Sequence, residues 1–185
     1  MQIVFIRHGE PDYAPCEARG FIGQGRDMAP LTPLGREQAA RAARSPLLEG
    51  CELMLSSPYT RALETASIIS RLTGLELRVE IDLHEWVCDR TYRCATTAEA
   101  AALHADFLAC RGEYPAGETR PWEPMSDIEA RVRPVLDKYF AQGCRRIAVA
   151  AHGGVIRRFV GKERIDFCEL NEIEYTPEQR CFGFV

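Results

Sequence analysis

No apolar run in this 185-residue chain approaches the about 20 residues needed to cross a bilayer, so no membrane-spanning helix is expected. An excess of positive charge is missing as well: 23 Lys and Arg stand against 27 Asp and Glu, leaving a formal charge of −4. Without a uniform positive field, nucleic acid and acidic membrane surfaces are poor partners, and any bound anion must be held by a local cluster. The eight cysteines form no Cys-x-x-Cys pair and no zinc-finger spacing, and no His-Glu-x-x-His occurs. No metal or other cofactor is therefore expected. The start, Met1 to Arg7, lacks a basic n-region and a cleavage signature, which points to a cytoplasmic protein with reduced thiols. Repeats and low-complexity tracts are absent, and 46% hydrophobic with 27% charged residues rules against disorder, collagen and coiled coil.

At about 150 residues per domain, the length gives one domain over residues 1–185. Short apolar runs at 2–7, 52–56 and 146–151 read as buried strands, with a further strand at 75–80. Helical periodicity covers 33–48, 58–73, 97–111, 127–142 and 154–162. Thr32-Pro33 and Ser57-Pro58 read as helix starts, a cap residue followed by a proline that the first helical position tolerates. Thr96 with Glu99 and Ser126 with Glu129 read as capping boxes. The alternation predicts an α/β fold, a three-layer α/β/α sandwich around a mostly parallel sheet. Periodicity leaves 172–176 and 181–185 open between edge strand and loop, and the Pro- and Gly-rich stretch 111–125 reads as a surface loop or lid.

Polar residues sit where these strands end. The first run closes in Arg7-His8-Gly9-Glu10, and the strand at 146–151 runs into His152-Gly153-Gly154 ahead of a helix. In open α/β sheets ligands bind at the carboxyl edge, glycine lets them approach the backbone, and a helix start offers free N–H groups to an anion. Ser56-Ser57-Pro58-Tyr59-Thr60-Arg61 leaves another strand at the same edge, placing Arg61 in a first helical turn where a cation opposes the helix dipole. That position is explained either by an anion in front of it or by a partner such as Glu64. In Asp82-Leu83-His84-Glu85-Trp86, a carboxyl next to an aromatic ring and a phosphate suits a general acid, although Asp-x-x-Glu segments are commonly solvated surface. His8 and His152 taken singly also fit ordinary strand ends.

Together these segments resemble the histidine phosphatase superfamily, the phosphoglycerate mutase-like family. Arg7-His8-Gly9-Glu10 resembles its signature, Pro30 to Ala39 its Pro-Leu-Thr-x-x-Gly-x-x-Gln-Ala helix start, and Ser56 to Ala66 its second arginine segment. Leu83-His84-Glu85 is similar to its Leu-x-Glu acid position, and His152 to Arg157 to its second-histidine motif. The resemblance implies a phosphoglycerate mutase-like fold, His8 as phosphoryl-accepting nucleophile, Glu85 as acid, and Arg7, Arg61, His152 and Gly153 as phosphate-binding groups. There are departures: the family's usual aspartate is displaced by one position in Gly25-Arg26-Asp27-Met28, and no Gly-x-x-Glu-Gly follows Glu85. In Pro121 to Asp127, Glu123 and Asp127 keep the family's Gly-Glu-Ser-x-x-Asp pattern but Pro124 replaces the serine.

The activity implied is a metal-independent phosphomonoesterase acting through phosphohistidine on a small phosphorylated metabolite or a phosphoprotein. The alternatives are a phosphoglycerate mutase-type phosphoryl transferase, for which the chain is short, and a non-catalytic module that binds a phosphorylated ligand. Arg19, Arg26, Arg90, Arg93 and Arg120 are candidates to read the rest of the substrate. The sequence leaves the oligomeric state open.

Overall fold

Strand β1 (Gln2–Arg7) sends Ile3 and Phe5 to one side and Val4 and Ile6 to the other, and all four are fully buried. A strand apolar on both faces must be covered on both faces. A computed structural model, which describes residues 1–184, shows how. β2 (Leu53–Ser56), β3 (Glu76–Val79) and β4 (Arg146–Ala151) join β1 in a sheet ordered β3-β2-β4-β1-β5. All neighbours pair in parallel except β5 (Leu170–Glu174), which runs antiparallel along β1.

After the short α1 (Ala14–Glu17), α2 (Pro33–Ala42) and α3 (Thr60–Thr73) cover one face of the sheet. Ala39, Ala42 and Ala66 meet Ala148 and Ala150 there, and small side chains on both sides let helices and sheet approach closely. On the other face, Ile128, Val132 and Leu136 of α5 (Met125–Ala141) and Val155, Ile156 and Phe159 of α6 (Gly153–Val160) pack on Ile3, Phe5, Ile147 and Val149. Full burial of each such side chain stabilises the fold by about 1.5–3 kcal/mol. The expected three-layer α/β/α arrangement results. Outside these layers, α4 (Thr97–Ala109) buries no residue completely and leans on Trp86 and Trp122 through Phe107. Among the described residues no helix is long and apolar enough to cross a membrane.

Several expected boundaries move. α2 stops at Ala42 instead of 48, because Pro46 lacks the N–H that a continuing helix needs and its ring would strike the carbonyl of Ala42. A 3-10 turn over Pro46–Leu48 follows. Helix α3 begins at Thr60 instead of 58, although the Ser57 hydroxyl accepts from the Tyr59 N–H at 3.2 Å; the same hydroxyl lies 2.7 Å from His152 Nε2. The Thr96–Glu99 capping box forms, but the Ser126–Glu129 box does not. Ser126 donates to Glu113 at 2.8 Å and Glu129 accepts from Arg133 at 2.6 Å, so tertiary partners outcompete the local ones. β5 settles the open segment near 172–176, residues 181–184 form no strand, and Val185 lies outside the described residues. Helix α1 and the 3-10 turn over Gly23–Met28 had no sequence expectation. Residues 111–124 are irregular, as expected, yet Trp122 and Glu123 within them are buried.

The turn after β1 rests directly on the start of α2. Thr32 caps that helix by accepting from the Gly35 N–H at 2.9 Å, and the Thr32 N–H donates to the Glu10 carbonyl at 2.9 Å. A Cβ on Gly35 would lie 2.3 Å from the Glu10 carbonyl oxygen, and one on Gly9 would lie 2.5 Å from the Gly35 oxygen. Only paired glycines allow this backbone contact. Gly35→Ala should therefore destabilise the protein by about 1–3 kcal/mol, as overpacking does. A urea midpoint equal to that of the wild type would contradict the tight contact.

Candidate active site

β1, β2 and β4 end at one edge of the sheet, and the chain stays zipped beyond the strands. The His8 N–H donates to the Ala151 carbonyl at 3.0 Å and the Ser57 N–H to the Ala150 carbonyl at 3.0 Å. The polar residues that follow three separate strands are thereby brought together. The His8 and His152 rings lie 5.2 Å apart between centroids.

His8 is buried and held at both nitrogens. Its Nδ1 lies 2.8 Å from the Gly9 carbonyl, so the proton sits on Nδ1 and the Nε2 lone pair faces Arg61, whose Nε donates to it at 3.3 Å. Burial first, then the charges of Arg61 and Arg7, push its pKa from the ordinary 6.5 down to about 3. The imidazole is therefore neutral at physiological pH.

Arg61, in the first turn of α3, is 4% exposed. It pairs not with Glu64, which holds Arg36 at 2.6 Å, but with Asp27 at 3.0 Å. The displaced aspartate thus still reaches the site. Burial raises the Asp27 carboxyl from 3.8 to about 6, even though Arg61 pulls the other way. Arg7 donates through Nη1 to the Ile165 carbonyl and lies 4.3 Å over the Phe167 ring, while its buried Nε has no partner among the described residues. A Cβ on Gly153 would sit 3.9 Å from that Nε, so the start of α6 faces Arg7 across a gap.

His152 is fully buried, and burial with the neighbouring cation Arg61 holds it well below its ordinary pKa. One ring nitrogen, Nε2, lies 2.7 Å from the Ser57 hydroxyl, and Nδ1 is unpartnered among the described residues. Glu85 closes the group from the far side. Its carboxylate accepts from the Trp86 N–H at 2.8 Å and from the Gly154 N–H at 3.2 Å, and a Cβ on Gly154 would strike it at 2.4 Å. The segment carrying Glu85 is clamped by Arg131 of α5, which donates to the carbonyls of Asp82 and Glu85. Buried Glu123 orients that arginine through contacts of 2.8 and 3.1 Å, and accepts from the Val87 N–H at 3.2 Å.

The structure thus gathers Arg7, His8, Arg61, Glu85, His152 and Gly153 at one edge. The peripheral arginines are engaged elsewhere: Arg26 with Glu17, Arg90 with Asp127, and Arg120 with Glu118. The reading of the sequence missed Ser57 as the partner of His152, Phe167 under Arg7, and Arg131. None carries a local signal, because each acquires its role from a partner far along the chain.

Two of the shifted groups give opposite pH dependences of stability. His8 binds its proton near 6.5 when unfolded and near 3 when folded, so its contribution is complete above 6.5 and is lost as pH falls toward 3. Asp27 holds its proton up to about 6 when folded against 3.8 unfolded, so its contribution is complete below 3.8 and is lost as pH rises through 6. Asp27→Asn removes the opposing slope. Its urea midpoint should climb more steeply than the wild type's from about pH 4 to about pH 6; an equal or shallower climb would contradict the two assignments.

The chain as a whole is similar to known proteins. Residues 3–179 match the family model described as histidine phosphatase superfamily (branch 1). A glucosyl-3-phosphoglycerate phosphatase of Mycobacterium tuberculosis is 31% identical over 174 residues, spanning 84% of this chain and 71% of the relative. The phosphoglycerate mutase-like protein 4 of Arabidopsis thaliana is 30% identical over 183 residues, covering 95% of this chain and 76% of its own. Among solved structures, a mycobacterial glucosyl-3-phosphoglycerate phosphatase in complex with VO3 superposes with a TM-score of 0.71 at 26% identity, covering 100% of this chain and 97% of that one. With residues 3–179 matched by the family model and the fold shared, this chain belongs to the histidine phosphatase superfamily, branch 1.

Proposed function

We propose that residues 1–185 act as one phosphatase domain, a metal-independent phosphomonoesterase in which His8 Nε2 takes the phosphoryl group. One observation carries this reading: a neutral imidazole with its proton fixed on Nδ1 presents an Nε2 lone pair among cationic donors. Phosphoryl transfer needs that combination of a positioned nucleophile and charge stabilisation on the equatorial oxygens. The phosphatase names of relatives support hydrolysis of a small phosphorylated metabolite.

In the first step the Nε2–phosphorus bond forms while the bond from phosphorus to the alcohol oxygen breaks, and Glu85, as the acid, passes a proton to that oxygen. Arg7, Arg61, the Nδ1–H of His152 and the Gly153 N–H bind the phosphoryl oxygens, and the Gly9 carbonyl steadies the Nδ1–H of the phosphorylated ring. In the second step a water gives its proton to Glu85 and attacks phosphorus. The bond to Nε2 breaks, the imidazole regains its lone pair, and phosphate leaves. Arginine suits this site because its fork matches two phosphoryl oxygens at once. We also place the protein in the cytoplasm, which its free cysteines support.

With EDTA present, the wild type should hydrolyse p-nitrophenyl phosphate and give an acid-labile phosphoenzyme, and His8→Ala should show neither. Retained turnover in that variant would overturn the assignment of the nucleophile. Glu85→Gln should slow alkyl phosphate hydrolysis by about 10²- to 10⁴-fold, and p-nitrophenyl phosphate, with its better leaving group, by much less. Equal losses on both substrates would remove Glu85 as the acid.

A further inference from the structure

Behind Glu85 lies a cavity of about 400 Å³, between α4, the start of α5 and α6. Trp86, Phe107, Leu108 and Phe184 make much of its wall apolar or aromatic. It shares Glu85 and Gly154 with the phosphate-binding edge, but neither His8, Arg7, Arg61 nor His152 lines it. The volume falls in the range of about 300–1,000 Å³ typical of small-molecule sites. Glu85 and Gly154 belong to both, so the cavity adjoins the place where the departing oxygen receives its proton.

The wall also holds a cation without adequate compensation. Arg158 of α6 is 7% exposed, and its Nε and Nη1 have no hydrogen-bond partner among the described residues. Its nearest paired carboxylate oxygen, on Glu129, is 4.0 Å away, and the other oxygen of that carboxylate is committed to Arg133 at 2.6 Å. A buried charge without full pairing is costly, so the site gains when an anion arrives. Arg157, a second cation, lines the same cavity.

We propose that this cavity is the leaving-group subsite, and that it selects phosphate esters of an alcohol whose aromatic or apolar body ends in a carboxylate. The inference rests on the phosphatase reading. The ester oxygen lies at Glu85, the body lies against Trp86 and Phe107, and the carboxylate meets Arg158.

The test compares 4-(phosphonooxymethyl)benzoate with benzyl phosphate as substrates, and 4-(hydroxymethyl)benzoate with benzyl alcohol as ligands followed by calorimetry. The wild type should favour the carboxylated member of each pair by about tenfold or more, the effect of one buried charge-assisted hydrogen bond. Arg158→Met should bring both ratios to within about twofold, through a loss on the carboxylated member of each pair. Leu108→Trp, at a partly exposed position of α4, should fill the cavity and slow both benzyl esters while sparing methyl phosphate. Equal affinity for the two alcohols, or a preference that survives both substitutions, would overturn the proposal. Absence of turnover on every ester would instead count against the phosphatase reading, and the binding comparison would still decide the subsite.

Discussion

Two guanidinium groups and two imidazoles packed into one buried edge impose the constraint on which the site depends. Burial and the positive charge of Arg61 both oppose protonation of His8 and His152, so neither imidazole adds to the local charge. Cations for binding and a lone pair for attack can then coexist within about one hydrogen bond of each other. The sheet makes this possible, because parallel strands deliver three polar segments to one edge while their apolar lengths lock the backbone in place. Asp27 supplies a counter-charge to Arg61 at 3.0 Å.

Glu85, across the site from His8, is held by different means. Glu85 follows an edge strand and sits on irregular backbone, so no ladder fixes its position. Arg131 and Glu123 take over that task from α5 and the preceding loop, with most of the hydrogen bonds going to main-chain atoms. A bidentate buried pair suits this because the planar fork fixes direction as well as distance. The segment 111–124, irregular in its backbone, is pinned through Trp122, whose indole N–H donates to Asp106 at 2.8 Å.

Much of this was legible beforehand. β1 and β4 read clearly because an unbroken apolar run ends abruptly in a histidine, and β2 because its run ends in serine and proline ahead of a helical pattern. Thr32 and Thr96 act as the caps they resemble, Thr32 even while its hydroxyl donates to Glu10 at 3.1 Å. Ser126 looks equally like a cap, yet Glu113 claims its hydroxyl, and Ser57 adds His152 to its local Tyr59 N–H; no local pattern announces such distant partners. The same holds for Arg131: one arginine on an amphipathic helix is unremarkable until Asp82 and Glu85 are folded against it. Asp27 stood one position from the family pattern, and the 3-10 turn over Gly23–Met28 nevertheless brings it to Arg61.

The antiparallel edge strand has a practical side. It ties the start of β1 to its own far end at the sheet's lower rim, with the amino group of Met1 donating to the Tyr175 carbonyl at 3.0 Å. That rim is the end of β1 opposite His8. A surface linker or reporter joined at Met1 leaves the molecule on the side away from the histidines. The fold therefore gives the molecule a handle and a working face, and the orientation in which it is immobilised decides which of them meets solution.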